Sequence, residues 1–124
     1  MKSISTFDRR KLILKNRSAN AIFDNYPVNK GHMLVIPNKK TNSIFNLSLK
    51  QYRETFELVR MCRKYLKNKF KVSSFTIGIN DGKSAGQTVK QAHIHIIPRY
   101  MGDVKDPRGG IRGVIPSKKK YKWI

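Results

Sequence analysis

Between Gln91 and Pro98 the chain reads Gln-Ala-His-Ile-His-Ile-Ile-Pro, a polar–apolar alternation with a period of two. A strand points successive side chains to opposite faces. Ala92, Ile94 and Ile96 therefore look into a core, while Gln91, His93 and His95 share the other face. Such a segment demands a sheet covered on one side. The cover is also written in the sequence. Ser48 stands three residues before Gln51, the pattern of a capping box. Tyr52, Phe56, Val59, Cys62 and Leu66 follow at helical spacing, with Arg53, Glu57, Arg60, Arg63 and Lys64 between them. This predicts one amphipathic helix over about 48–67, roughly five turns long.

Four more strands are expected. Leu12 to Leu14 and Ala19 to Asp24 are short apolar runs separated by a turn at Asn16 to Ser18. Asp24 to Gly31 is rich in turn formers and leads into His32-Met-Leu-Val-Ile-Pro37, read as a buried strand. Phe75 to Asn80 alternates, and Asp81 to Gly86 is a glycine-rich loop. No regular crossover helices join the strands, so the class is α+β with an antiparallel sheet of about five strands. At 124 residues the chain is one domain. From about residue 101 it becomes a basic, Gly/Pro-rich extension, expected to have little structure of its own.

Charge narrows the function classes. There are 27 Lys and Arg against 7 Asp and Glu, a formal charge of +20. Such a surface attracts polyanions. No apolar run is long enough to span a membrane. The opening residues lack the apolar segment of a secretory signal, and one cysteine makes no internal disulfide, so a reducing cytoplasm is the expected compartment. Asn16 and Asn46 are then chance glycosylation matches. Cys62 lies on the apolar stripe and reads as a small core residue.

Two motifs invite chemistry. Gly82-Lys83-Ser84 suggests a phosphate loop, but position 77 is Ile where the Walker pattern needs glycine, and no helix start follows. The loop can still cradle phosphate through its backbone N–H groups. The second motif is His93 and His95, about 7 Å apart on one sheet face. A neutral imidazole is a competent nucleophile toward phosphorus, and a neighbouring one can bind a phosphoryl oxygen or donate a proton. The same spacing equally suits a pair of surface histidines. A metal set of His93, His95 and His32 lacks any further His or Cys support, and no metal is assigned.

Gly86-Gln-Thr-Val-Lys-Gln-Ala-His-Ile-His-Ile-Ile-Pro-Arg99 resembles the signature of the histidine triad (HIT) family of nucleotide hydrolases and transferases. Asp24-Asn-Tyr-Pro-Val-Asn-Lys-Gly-His-Met-Leu-Val-Ile-Pro37 is similar to an early segment of the same family. The resemblance covers roughly residues 10–100, and the tail resembles a bacterial and archaeal branch. It implies a HIT-like fold whose sheet joins that of a second copy in a homodimer. It implies attack on the α-phosphorus of a purine nucleotide conjugate, such as a dinucleoside polyphosphate or nucleoside phosphoramidate, through a nucleotidyl-histidine. His93 takes the nucleophile's position and His95 the third triad position. Gly86, Gln87 and Thr88 approach the phosphates, and Asn80 faces them. Asp24 receives ribose hydroxyls, and Ile22 lines the base pocket. His32 is grouped with the substrate-binding residues and read as support rather than as a direct participant. Gln91 stands where the first triad histidine is usual, so activity is expected with altered handling of the leaving group. No cofactor is required, although Mg²⁺ can arrive with a polyphosphate.

A competing class is a nucleic-acid binder on the same fold, with Lys118, Lys119, Lys120 and Lys122 interleaved with Tyr121 and Trp123. A solvated basic surface with weak, nonspecific binding accounts for that run equally well. A purely structural dimeric partner is the third class.

Overall fold

A computed structural model of the protein describes Phe7 and residues 11–122. Five strands, β1 (Leu12–Lys15), β2 (Ala19–Phe23), β3 (Met33–Pro37), β4 (Ser74–Gly78) and β5 (Ile94–Arg99), form one sheet in the order β1-β2-β3-β5-β4. Every neighbouring pair is antiparallel. One long helix, α1 (Leu49–Phe70), crosses one face of this sheet. The α+β class and the five-strand count agree with the sequence pattern.

Local chemistry sets these elements. Asn16 Oδ1 accepts the N–H groups of Ser18 and Ala19 at 3.1 and 3.0 Å, which closes the β1–β2 turn. Its Nδ2 donates to Glu54 O at 2.7 Å and ties that turn to α1. Ser48 caps α1 as expected: its hydroxyl accepts from Gln51 N, and Gln51 Oε1 accepts from Ser48 N. The helix runs 22 residues, three beyond the expected end. Lys67 and Lys69 in its last turn suit the negative end of the helix dipole. Phe70 packs edge-on against Phe23 of β2, with ring centroids 6.1 Å apart. Lys71 closes the helix in the left-handed region.

Ala19, Ala21, Met33, Val35, Ile94 and Ile96 form the sheet side of the core. Leu58, Val59, Cys62 and Leu66 form the helix side. The buried stripe is rotated from the expected one: Thr55 and Leu58 are fully buried, while Tyr52 and Phe56 sit at the margin. Thr55 tolerates burial because its hydroxyl donates to Gln51 O at 2.7 Å.

Two expectations are corrected. The regular strand begins at Ile94 rather than Gln91. The three residues before it bond elsewhere, with Ala92 N donating to Thr41 O at 2.8 Å. The tail is not featureless either. Short 3-10 turns occupy Ile111–Val114 and Pro116–Lys118. Asp103 anchors the start of the tail, accepting from Arg99 Nε, Tyr100 N and Asn29 Nδ2 at 2.8, 2.9 and 2.8 Å. Those donors hold its carboxyl far below the usual carboxylate range. Among the described residues no helix is long and apolar enough to cross a membrane.

Candidate active site

The strand register draws a line across the open face of the sheet. Ile22 pairs with Leu34, Leu34 with His95, and His95 with Gly78. Cross-strand partners share a face. Ile22 and Leu34 thus make an apolar floor beside His95. A cleft of about 280 Å³ opens over this floor. His93, His95, Asp24 and Asn80 reach it, as do Ile22 and the Gly86-Gln87-Thr88 approach. Gly86 turns that approach with φ +88°, a conformation open to residues without a Cβ.

Hydrogen-bond roles fix where the protons sit. Val28 N can only donate, so His32 Nδ1, 3.0 Å away, must accept. A neutral His32 then carries its proton on Nε2. That atom lies 3.0 Å from His95 Nδ1 and donates to it. His95 in turn carries its proton on Nε2. On the other histidine, Nδ1 lies 2.9 Å from Gln91 O, which can only accept. A neutral His93 therefore bears its proton on Nδ1 and a lone pair on Nε2. The two cleft histidines present opposite faces to a ligand: His93 a lone pair, His95 an N–H. Their ring centroids are 5.0 Å apart.

Electrostatics agree with neutral rings at His95 and His32. Burial, with the neighbouring His93 and His32, pushes the His95 pKa down to about 4, against an opposing pull from Asp24. Burial likewise lowers His32, with Asp24 acting upward and His93 downward.

Two of the sequence-chosen residues lie away from the cleft wall. Gln91 does not share the histidines' space. It is 3% exposed, and its amide donates to Pro37 O and Lys39 O at 3.1 and 3.0 Å and accepts from Thr41 N at 3.2 Å. Alternation fails there because the residue precedes the regular strand. His32 is 2% exposed, is absent from the cleft wall and reaches it only through its 3.0 Å contact with His95. Gln87 lines the cleft, but its side chain is spent on the loop. It accepts from Gly82 N at 2.9 Å and donates to Asn42 O and Val89 O at 3.0 Å. Asp24 Oδ1 caps the Pro27 turn by accepting from Tyr26 N at 2.9 Å. Its Oδ2 lies 3.5 Å from His32 Nε2. Lone pairs remain on both oxygens for a ligand.

Ligand atoms of Asp24, His32 and His95 all lie within 4.8 Å of one another, a spacing a cation can bridge. The proton on His32 Nε2 opposes this. A metal there must displace that proton while Val28 N–H still points at Nδ1. Sequence reasoning missed Phe7, Tyr26 and Leu34 on the cleft wall. Phe7 meets His93 edge-on at 5.2 Å. Leu34 was legible in principle, since it is one strand position from Met33 on a segment read only as buried. In the basic tail, Arg112 lies over the Tyr121 ring at 4.3 Å and Lys119 Nζ donates to Asp106 O. Trp123 lies outside the described residues.

Residues 8–102 match the HIT domain, and the chain belongs to that family. It is 38% identical over 80 residues to the bis(5'-nucleosyl)-tetraphosphatase [asymmetrical] of Schizosaccharomyces pombe, covering 64% of this chain and 44% of that one. It is 30% identical over 91 residues to the bis(5'-adenosyl)-triphosphatase of Saccharomyces cerevisiae, covering 73% and 44%. The chain thus spans less than half the length of these relatives. The crystal structure of Plasmodium falciparum diadenosine triphosphate hydrolase superposes with a TM-score of 0.75 at 29% identity, covering 92% of this chain and 82% of that one.

Proposed function

We propose that this protein hydrolyses dinucleoside polyphosphates, or transfers their nucleotidyl group, by covalent catalysis at His93. The observation that carries the reading is the 2.9 Å contact between His93 Nδ1 and Gln91 O, which leaves the Nε2 lone pair as the ring's reactive atom on the cleft wall. Relatives named as diadenosine and dinucleoside polyphosphate hydrolases support the substrate class.

A purine nucleoside rests against Ile22 and Leu34, with Asp24 accepting its ribose hydroxyls. His93 Nε2 forms a bond to the α-phosphorus as the bond to the bridging oxygen breaks, and that oxygen leaves with the electron pair on the departing phosphate. The ring becomes cationic but keeps its Nδ1 proton, and the Gln91 carbonyl stabilises that charge. His95 Nε2–H donates to a phosphoryl oxygen. Water then attacks phosphorus and gives up one proton to solvent, the P–N bond breaks with its electron pair returning to Nε2, and His93 returns to its neutral form. Mg²⁺ carried by the polyphosphate is compatible with these steps, and no residue here is reserved for it. A homodimer joined edge to edge belongs to the same reading, and β4, a terminal strand of the sheet, is the edge it would use. Light scattering after size exclusion measures it.

The test is intact-protein mass spectrometry and product analysis with diadenosine tetraphosphate. Turnover or an adenylyl adduct is expected in the wild type and absent in His93→Ala. Turnover that persists in His93→Ala refutes the assignment.

A further inference from the structure

The segment from Pro37 to Asn42 runs between β3 and the turn that precedes α1, and contributes nothing to the cleft wall. Yet it gathers bonds from both halves of the site. Gln91 holds it at Pro37 O, Lys39 O and Thr41 N. Ala92 N holds it at Thr41 O. Gln87 holds it at Asn42 O while also accepting from Gly82 N of the glycine-rich loop. One strap therefore pins the entry to the nucleophile strand and the phosphate approach together.

We propose that Gln91 is a positioning residue that sets the tautomer and aim of His93 by clamping this strap. It acts through its own carbonyl. Three side-chain bonds hold residue 91 still, and its C=O receives His93 Nδ1–H. The clamp suits glutamine in particular. Its targets are two carbonyls and one N–H, and the amide supplies two N–H donors and one acceptor oxygen. A neutral imidazole has one donor and one acceptor, so it leaves a carbonyl unmatched. An imidazolium has two donors but nothing for Thr41 N–H. Glutamine at this position is therefore a working part rather than a degraded histidine.

This inference rests on His93 being the nucleophile, and its test separates the two. Nitrogen-15 NMR of the histidine rings reads the His93 tautomer without any substrate. Kinetics with diadenosine tetraphosphate read kcat and KM. In the wild type the Nδ1–H tautomer dominates. Gln91→Met removes all three bonds at similar volume: mixed tautomers are expected, with kcat down about 100-fold and KM little changed. Gln91→His keeps two of the three bonds and falls between the two. If Gln91→Met does not fold, Gln91→His decides alone. A folded variant with an unchanged His93 tautomer and unchanged kcat overturns the proposal. Should His93→Ala stay active, the nucleophile assignment fails, and the tautomer measurement still decides whether Gln91 governs the ring.

Discussion

Acid should loosen this protein well before its carboxylates titrate, and the histidine pair beneath the cleft should be responsible. His95 is held at about 4, whereas an unfolded histidine titrates near 6.5. Between those values the unfolded chain takes up a proton that the folded chain refuses. Stability is then complete above about 6.5 and falls as the pH drops toward 4. At pH 5 the two binding curves differ by about 2 kcal/mol for His95 alone. His32 is shifted the same way and adds to the slope. The groups facing His95 are already included: His93 and His32 press its pKa down, and Asp24 partly offsets them. The paired carboxyls of Asp103 and Asp106 are depressed, so their contribution is lost only at lower pH. Urea unfolding at constant ionic strength measures this directly. A loss of about 2 kcal/mol corresponds to a midpoint lower by about 1 M at pH 5 than at pH 7.5, with unchanged m. His95→Asn should flatten much of that decline. A wild-type midpoint independent of pH over this range, or an identical decline in His95→Asn, refutes the buried neutral pair.

Gly31→Ala should cost about 2–4 kcal/mol in denaturant unfolding. Gly31 has φ +90°, and an added Cβ meets the Phe70 ring at 3.0 Å and Pro98 Cγ at 3.2 Å; a loss under about 0.5 kcal/mol contradicts the close approach that seats His32. Cys62 is fully buried, and burial pushes its thiol up to about 12. A thiol reagent at pH 8 should label it only as fast as the chain opens, and immediate labelling of the folded protein contradicts the packing. Zinc titration at pH 7 should give no tight calorimetric site at Asp24, His32 and His95. Micromolar binding that disappears in His32→Asn would overturn the proton assigned to His32 Nε2.

What the sequence made legible was local. The Ser48–Gln51 cap spans four residues and depends only on its own short stretch of chain. The Ala92, Ile94 and Ile96 face follows from strand geometry and lies in the core. The family motif brought Asp24, Asn80 and Gly86 to notice, strand alternation from Asp24 added Ile22, and all four line one cleft with His93 and His95. What stayed hidden was set by partners far along the chain. Gln91 turns away from its alternation because Thr41, fifty positions earlier, offers its N–H. His32 is paired with His95 across 63 positions. The helix stripe rotated toward Leu58 because packing against the sheet, not helical period alone, chooses the buried face. Phe7 carried no signal, since nothing in its neighbourhood marks an aromatic bound for a histidine.

The formal charge of +20 and the composition of the cleft point in different directions, and that difference is measurable. The cleft wall holds no lysine or arginine among the described residues. The polar residues of the wall include His93, His95, Asp24, Asn80 and Thr88, whereas the N–H groups of Gly86 and Gln87 donate within their own loop, so the loop does not offer them as a phosphate cradle. Lys11 donates to Asn25 at the rim but is not itself part of the wall. The cations therefore act on an anionic substrate at long range, raising its encounter rate, and are screened within about 8–10 Å at physiological salt. In the proposed mechanism the groups that act on the phosphorus are short-range dipoles in a partly buried cleft, which salt screens little. Raising ionic strength should then lower kcat/KM for diadenosine tetraphosphate several-fold while leaving kcat nearly constant. A matching fall in kcat would mean that a surface cation reaches the reacting phosphate in the bound complex, and the neutral-site mechanism would have to be abandoned.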